Sequence, residues 1–427
     1  MCKKCFCSIV PPNVLSGLSK SGSEASKLAL ADLASLKQKR EATLASLTKK
    51  EITKGNANRY VYDSQNSWEL RKKLVRQENG NQDQDNDVNI VYDISGFMKN
   101  YLMDTFNYDS LDDNGMDLIF NVHYRTDYNN AFWDGDEMAF GDGDGKNFIG
   151  FVGSIDVIAH ELMHGITQFT ANLQYYGQSG ALNEHFSDVF GTIIKQRLLK
   201  QTPTEGDWLI GNDIIGPDFP GQALRSMKDP GTANDYDDQP DHMDNYYSGN
   251  EDNQGVHANS GIPNKAFYLA TMQLGLEVTE QVWFQTLKKL WATANFNDML
   301  EKVLEVTSEM IHNNQIPENS LTIIEEAFSN VGLKADKLSL NYQIEISGGI
   351  LPVNEILKGK IEDHELIKYI EQNKITDLNN NSMRDGQAYK FNLKTNKLKR
   401  QFTVDESNLN DHLKKIIDIA QKSKALK

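Results

Sequence analysis

The chain has 427 residues, of which 24% are charged, and a formal net charge of −16 at pH 7. Its length exceeds what one ordinary hydrophobic core supports, so we expect several domains. The acidic balance argues against nucleic acid and anionic membranes as main partners, because both attract basic surfaces. The sequence contains no apolar run of about 18 residues, which argues against a transmembrane helix.

The N-terminus carries all three cysteines, Cys2, Cys5 and Cys7. Because all three lie within the first seven residues, no disulfide can cross-link the rest of the chain. They can bind a metal, respond to redox conditions or lie in an exposed flexible terminus, and the last interpretation is the simplest. The apolar stretch of a secretory signal peptide is not present there. We therefore expect a cytoplasmic protein, or one exported by a route without a classical signal.

Residues 1–55 are predicted to form a separate N-terminal segment. Pro11 and Pro12 exclude a helix interior at their positions, and a stretch rich in Ser and Gly follows them. Leucines recur at helical spacing over residues 24–47. The polar residues 49–58 are expected to be an exposed linker and a zone of cleavage.

The middle of the chain changes from a strand-rich to a helix-rich pattern. Short strands are predicted at 60–62, 89–92, 120–124 and 130–133. A long helix is expected to begin after Ser154 as its N-cap. Further helices are predicted at 184–199, 265–274, 280–293 and 297–313. The polar loop at 217–259 is long enough to suggest a functional role.

Beyond residue 337 the pattern predicts a small α+β unit with strands at 340–346, 389–393 and 398–404 and helices at 363–372 and 411–421. The predicted organisation is therefore an N-terminal segment, a β-rich lobe, a helical lobe and a C-terminal unit, at residues 1–55, 56–180, 181–337 and 338–427.

The segment HELMH at residues 160–164 is a candidate metal site. On a helix, His160 and His164 lie one turn apart on the same face, where both imidazoles can reach one cation. Imidazole nitrogens suit Zn²⁺, and a catalytic site leaves its fourth position to water. Glu161 is placed to accept a proton from that water. Two surface histidines on a helix are the alternative.

A third ligand is available in the segment GALNEHFSD at residues 180–188. If this segment is helical, Glu184 and Asp188 share a face. Glu184 can complete a site of two histidines and one glutamate, and Asp188 can fix the tautomer of a ligand histidine. Taken alone, Glu184 is an ordinary surface glutamate; taken with HELMH, the ligand interpretation is favoured.

These motifs resemble the thermolysin-like zinc metallopeptidase family. The resemblance covers about residues 58–335 and includes, in order, NNAFWDG at 129–135, GDGDG at 141–145, HELMHGIT at 160–167, GALNEHFSDVFG at 180–191, LRSM at 224–227 and GVHANSGIPNK at 255–265. It implies a two-lobed α+β fold, with a β-rich N-terminal lobe, a helical C-terminal lobe and the active-site helix between them.

The resemblance also implies the roles of individual residues. His160, His164 and Glu184 would bind one zinc ion, Glu161 would be the general base, and Asp188 would orient His160. His257 and Tyr175 would donate hydrogen bonds to the oxyanion of the tetrahedral intermediate, with Asp252 orienting His257. The implied substrate-binding residues are Asn130, Ala131 and Arg225.

The sequence departs from the family pattern at its double calcium site. Asp156 and Asp207 match two acidic positions, whereas Lys195, Leu209 and Asn212 occupy the other three. A lysine replaces an oxygen ligand with a cation, so a bound Ca²⁺ pair is doubtful.

Both ends of the chain resemble regulatory modules. CSIVPPNVL at residues 7–15 is similar to the short precursor segment of protealysin-like peptidases, and implies an extended Pro-Pro element that presents Val14 and Leu15 to the cleft. Self-cleavage would then occur between Leu47 and Asn58. Residues 338–427 contain ISGG at 346–349, YKF at 389–391 and FTVD at 402–405. These motifs resemble emfourin-like proteins, which are inhibitors associated with such enzymes; a stabilising or substrate-docking appendage is the alternative.

The leading interpretation is an endopeptidase that acts on proteins or peptides and, by resemblance, prefers an apolar residue on the carboxyl side of the cut. The alternative is a regulatory or binding protein whose site is kept blocked by its own terminal segments. A purely structural zinc domain is disfavoured, because three protein ligands leave an open water position.

Overall fold

The computed structural model describes residues 6–43, 57–334, 340–348, 355–373, 375, 387–395 and 398–425. The chain divides into two compact units, residues 1–334 and 335–427. Each unit has its own cluster of buried apolar side chains. Cys2, Cys5 and most of the predicted cleavage zone lie outside the described residues. Among the described helices, none has the length and apolar character needed to cross a membrane.

The strands of the first unit are β1 (Cys7–Ser8), β2 (Arg59–Asp63), β3 (Lys73–Gln77), β4 (Leu118–Val122), β5 (Ala131–Trp133), β6 (Met138–Phe140), β7 (Leu209–Ile210) and β8 (Arg225–Ser226). Six of the described strands form one sheet in the order β1-β5-β6-β4-β2-β3, and β7 pairs with β8. The N-terminal segment therefore contributes β1 to the edge of this sheet, antiparallel to β5.

The helices of this unit are α1 (Pro12–Lys20), α2 (Glu24–Thr43), α3 (Asn86–Phe106), α4 (Ile155–Phe169), α5 (Gly177–Leu199), α6 (Asp252–Asn259), α7 (Gly261–Leu274), α8 (Leu276–Lys289), α9 (Phe296–His312) and α10 (Ser320–Asn330). Helices α4 and α5 are buried over most of their length. A Cβ on Gly191 of α5 would lie 2.8 Å from the Asp156 carbonyl oxygen of α4, so a glycine is needed for their close approach.

The strand predicted at residues 89–92 is wrong, because these residues lie inside α3. The helix begins after Asp85, whose side chain accepts a hydrogen bond from the Asp87 backbone N–H. Its buried face includes Val88 and Val91. A run of four residues is too short to distinguish a buried strand from one turn of an amphipathic helix.

The prediction of an extended Pro-Pro element at residues 7–15 is also wrong. Pro11 is extended, but Pro12 is the first residue of α1. Proline is favoured at that position, because its missing N–H would have no partner inside the helix. Val14 and Leu15 are buried side chains of α1.

The second unit contains β9 (Leu340–Gly348), β10 (Glu355–Ile361), α11 (His364–Gln372), β11 (Gln387–Lys394), β12 (Lys399–Asp405) and α12 (Asp411–Ala425). Its antiparallel sheet has the order β10-β9-β11-β12. Alternate side chains of β9, from Leu340 to Ile346, face the core. Strand β10 was not predicted, because only Leu357 and Ile361 of its seven residues are buried.

Candidate active site

Helices α4 and α5 bring together two histidines and a glutamate. His160, His164 and Glu184 are fully buried. The His160 Nε2 atom lies 3.4 Å from Glu184 Oε2, and His164 Nε2 lies 3.6 Å from Glu184 Oε1. One ligand atom from each residue lies within 4.8 Å of the others. The i, i+4 spacing on α4 produces the first pair, and the α4–α5 contact supplies the third group.

The second nitrogen of each imidazole is held by an oxygen. His160 Nδ1 lies 3.0 Å from Asp188 Oδ1. His164 Nδ1 lies 2.9 Å from Asn183 Oδ1 and 3.0 Å from Ser187 Oγ. An Nδ1–H donated to these oxygens leaves the Nε2 lone pair for a metal. Sequence reasoning misses Asn183 and Ser187, which lie four residues apart on one face of α5.

The donor set fits a zinc ion. The two Nε2 atoms lie 2.9 Å apart, a distance at which two lone pairs repel unless a cation or proton lies between them. Burial lowers the pKa of His164 to about 3, which keeps this imidazole neutral. Glu184 Oε2 is buried and has no hydrogen-bond partner among the described residues, which is costly unless it meets a positive charge. Two imidazoles and one carboxylate are typical catalytic zinc ligands.

Glu161 lies next to His160 on α4, and its side chain is fully buried. Both carboxylate oxygens lack a hydrogen-bond partner among the described residues. Burial raises the pKa of Glu161 to about 8. A carboxyl group with such a pKa can exchange a proton near neutral pH.

Asp188 connects His160 to the guanidinium of Arg225. Arg225 is 1% exposed and donates from Nε and Nη2 to the two carboxylate oxygens of Asp188, at 2.8 and 2.6 Å. Asn264 Nδ2 donates to Asp188 Oδ2 at 2.9 Å. Burial alone would raise the pKa of Asp188, but Arg225 and His160 outweigh it and hold the pKa below its usual value. Asp188 therefore stays ionised.

His257 and Tyr175 lie across Glu184 from α4. Asp252 accepts from the backbone N–H of His257 at 2.8 Å and from its Nδ1 at 2.7 Å. Burial opposes protonation of His257, but Asp252 and Glu184 raise its pKa to about 9. The Tyr175 hydroxyl donates to Glu184 and lies 3.2 Å from His257 Nε2. These are two polar hydrogens beside the proposed metal position.

The edge strand of the cleft is occupied by the chain's own N-terminal segment. The Ile9 N–H donates to the Ala131 carbonyl at 3.2 Å. The Val10 N–H donates to Asn130 Oδ1 at 3.0 Å. Ala131 therefore binds an extended backbone through its main chain, which is a recurring form of peptide recognition, and Asn130 binds it through its side-chain amide oxygen.

Two further hydrogen bonds place the backbone carbonyls of this segment. His257 Nε2 donates to the Ser8 carbonyl at 2.9 Å, and Arg225 Nη1 donates to the Ile9 carbonyl at 2.9 Å. The site residues predicted from the sequence thus lie together around one cleft: Asn130, Ala131, His160, Glu161, His164, Tyr175, Glu184, Asp188, Arg225, Asp252 and His257.

The departure from the family's calcium pattern is visible in the contacts of Lys195. Its Nζ lies 3.2 Å from Asp156 Oδ2, 3.1 Å from Asp207 Oδ2 and 2.6 Å from Asn212 Oδ1. The Lys195 side chain is 6% exposed. An ammonium group therefore lies among the oxygens of the positions that correspond to the calcium ligands.

A His-His-Glu cluster with a neighbouring buried glutamate, at a cleft whose edge binds peptide backbone, defines a zinc metallopeptidase. Residues 24–168 match the family model described as thermolysin metallopeptidase, catalytic domain, and residues 171–333 match that of its alpha-helical domain. The chain belongs to the thermolysin family of metallopeptidases and is protealysin-like.

The similar proteins support this assignment. The chain is 38% identical over 343 residues to an extracellular metalloprotease of Pectobacterium carotovorum subsp. carotovorum, which covers 77% of this chain and 97% of the relative. It is 41% identical over 300 residues to protease PrtS of Photorhabdus sp. (strain Az29), covering 65% and 80%. The structure of the precursor of protealysin, a metalloproteinase from Serratia proteamaculans, aligns with a TM-score of 0.67 and 37% identity, covering 77% and 99%.

Proposed function

We propose that this protein is a zinc-dependent endopeptidase in which Glu161 is the general base. The observation that carries the proposal is the fully buried Glu161 carboxylate on the helix turn that also bears His160 and His164. Zinc held by the His160, His164 and Glu184 side chains would polarise the scissile carbonyl and acidify a bound water. Glu161 would take the proton from that water and pass it to the leaving amine.

The remaining site residues would bind and stabilise the substrate. His257 and Tyr175 would donate hydrogen bonds to the oxyanion, and Asp252 would keep His257 protonated. Asn130 and Ala131 would pair with the substrate backbone, while Arg225 would bind the carbonyl beyond the cut. The buried position of Ile9 beside Arg225 supports a preference for an apolar residue on the carboxyl side.

We further propose that the chain is made as a precursor that processes itself. Contacts of Ser8, Ile9 and Val10 with the cleft support this idea, because a second peptide cannot pair with Ala131 at the same time. The same contacts favour a second candidate function, a regulatory protein with a permanently blocked site. Because one relative is named an extracellular metalloprotease, we propose that the active form works outside the cell.

The test is the Glu161→Gln variant, assayed on casein with and without a zinc chelator. We expect zinc to remain bound, since Glu161 is not a proposed ligand, and hydrolysis to fall by about 10²–10⁴-fold. The chelator should abolish wild-type hydrolysis. Glu69→Gln, the same change at an exposed position, is the matched control and should retain wild-type activity. Near-normal hydrolysis by Glu161→Gln would refute the mechanism.

A further inference from the structure

We propose that the Ser8–Ile9 peptide bond is itself a substrate of this site and is hydrolysed within the same molecule. The inference rests on the proposed endopeptidase function and names its first substrate. It differs from the cleavage expected between Leu47 and Asn58, because it concerns the bond that lies in the cleft.

The register of β1 on β5 identifies the bond. Ser8 pairs with Phe132 and Cys7 with Trp133, antiparallel to the edge strand. His257, a proposed oxyanion donor, binds the Ser8 carbonyl, whereas Arg225 binds the next carbonyl, that of Ile9. The carbonyl beside the oxyanion donor belongs to the bond that water attacks. In this register that bond is Ser8–Ile9.

The side chain after the bond also fits. Ile9 is 0% exposed and belongs to the main apolar core of the first unit. An apolar residue is what the proposed specificity requires on the carboxyl side of the cut. The segment therefore presents both the backbone pairing and the side chain of a substrate.

The contacts beyond Val10 hold the segment in this register. Asn13 Nδ2 donates to the Tyr236 carbonyl at 2.8 Å and to Asp238 Oδ1 at 2.9 Å. Val14 and Leu15 are buried. A tethered substrate that is already aligned reacts at a rate independent of protein concentration.

The reaction balances with water as the only co-reactant. Water oxygen bonds to the Ser8 carbonyl carbon, Glu161 takes a proton and delivers it to the Ile9 nitrogen, and the C–N bond breaks. The second water proton remains on the new carboxyl group and then passes to the amine, so the products are a peptide ending in the Ser8 carboxylate and a chain beginning with the Ile9 ammonium group. The cut leaves the peptide ending at Ser8 no longer joined to α1, and its described contacts with the cleft include the pairing of β1 with β5 and the stacking of Phe6 on Phe132. This short peptide can then dissociate, while α1 stays anchored.

The experiment starts from the metal-free full-length protein and adds stoichiometric Zn²⁺. Intact mass and N-terminal sequence are followed over time at several protein concentrations. We expect a new N-terminus at Ile9, formed with a first-order rate constant that does not change on dilution. The same samples are assayed on casein.

Two matched variants test the assignment. Ile9→Asp should slow the cut by more than about tenfold, because a carboxylate loses hydration in an apolar site. Leu28→Asp also replaces an aliphatic residue of the same segment with aspartate, but at a side chain that is 57% exposed, and it should be cut at the wild-type rate. Glu161→Gln should not be cut.

Each of the following outcomes would overturn the inference that the Ser8–Ile9 bond is cut within the same molecule. Casein hydrolysis with an intact Ser8–Ile9 bond would refute self-cleavage there and leave the proposed function standing. Hydrolysis of neither substrate by the zinc-loaded wild type would refute both. A rate that rises with protein concentration would place the reaction between molecules, and a cut in Glu161→Gln would assign it to another protease.

Discussion

At the residue scale, a buried chain of hydrogen bonds links the proposed zinc ligand His160 to α8. Trp283 Nε1 donates to His185 Nε2 at 2.9 Å, and His185 Nδ1 lies 2.7 Å from Asn264 Oδ1. Because an indole N–H can only donate, His185 must accept at Nε2 and donate from Nδ1. The Asn264 amide is thereby oriented to donate to Asp188, which holds His160.

We therefore predict that His185 is a positioning residue for the metal site. His185→Ala should weaken Zn²⁺ binding by about tenfold or more, the usual effect of removing a group that orients a metal ligand. Metal transfer to a chromogenic chelator measures this directly. Peptide hydrolysis should fall mainly in kcat rather than KM, because the described hydrogen bonds of His185 are to Asn264 and Trp283 and not to the residues that bind the segment in the cleft.

Two further variants separate the effect of the side-chain volume of His185 on zinc affinity from the effect of its hydrogen bonds. His185→Leu retains most of the side-chain volume and should lose zinc affinity as His185→Ala does. His185→Gln keeps a hydrogen-bond acceptor and a donor, so it should retain part of the zinc affinity that the other two variants lose. Wild-type zinc release from both His185→Ala and His185→Leu would show that Asn264 and Asp188 hold their orientation without help.

Helix spacing predicts the site residues that share one face of α4 or α5, and the family resemblance adds residues from other elements, such as Arg225 and His257. HELMH and Glu184 follow from spacing on α4 and α5 and from the family resemblance. Nothing in the spacing of His185, Asn264 and Trp283 indicates that they touch, because they come from three helices. Asn264 lies within a recognised motif, yet its partner in α8 depends on how the helices pack.

At the element scale, Lys195 joins the start of α4 to the end of α5. Asp156 is fully buried in the first turn of α4, and its Oδ2 also accepts from the Gly211 backbone N–H. Burial alone would lower the pKa of Lys195, but Asp156 and Asp207 outweigh it and raise the pKa above its usual value. The ammonium group thus compensates a buried carboxylate.

Removing that cation should destabilise the first unit. Lys195→Met leaves the buried Asp156 carboxylate without the Lys195 cation, and we expect the free energy of unfolding to fall by about 3 kcal/mol in urea titrations. Lys228→Met, the same change at an exposed lysine, should have little effect. In Lys195→Glu, added Ca²⁺ should raise the Tm, whereas the wild-type Tm should not respond to it. A calcium-dependent wild-type Tm would contradict this account.

The elements that sequence analysis misjudged are those whose identity depends on context. Periodicity predicts α4, α5 and α7 to α9, since these helices have buried faces at a clear spacing. Helix α1 shows the same spacing at Val14, Leu15 and Leu18, but the preceding prolines suggested an extended chain. The pairing of β1 with β5 could not be predicted, because two residues carry no periodic signal.

At the scale of the whole molecule, the second unit lies outside the recognised family. The family models end at residue 333, and nearly all of the Pectobacterium relative is matched by 77% of this chain. The two apolar cores share no residue. Each unit therefore has an apolar core of its own, and the second lies beyond the residues that the family models match.

We predict that this addition restrains the peptidase, as its resemblance to emfourin-like inhibitors implies. Deleting residues 335–427 should leave the main thermal transition of the first unit unchanged, because no side chain of its core is removed. The kcat/KM for casein should rise in the truncated chain. Adding the separate second unit back should lower it again with saturable dependence on concentration. Equal activity of the full-length and truncated chains, with the same maturation products by mass, would instead assign the second unit a role other than inhibition.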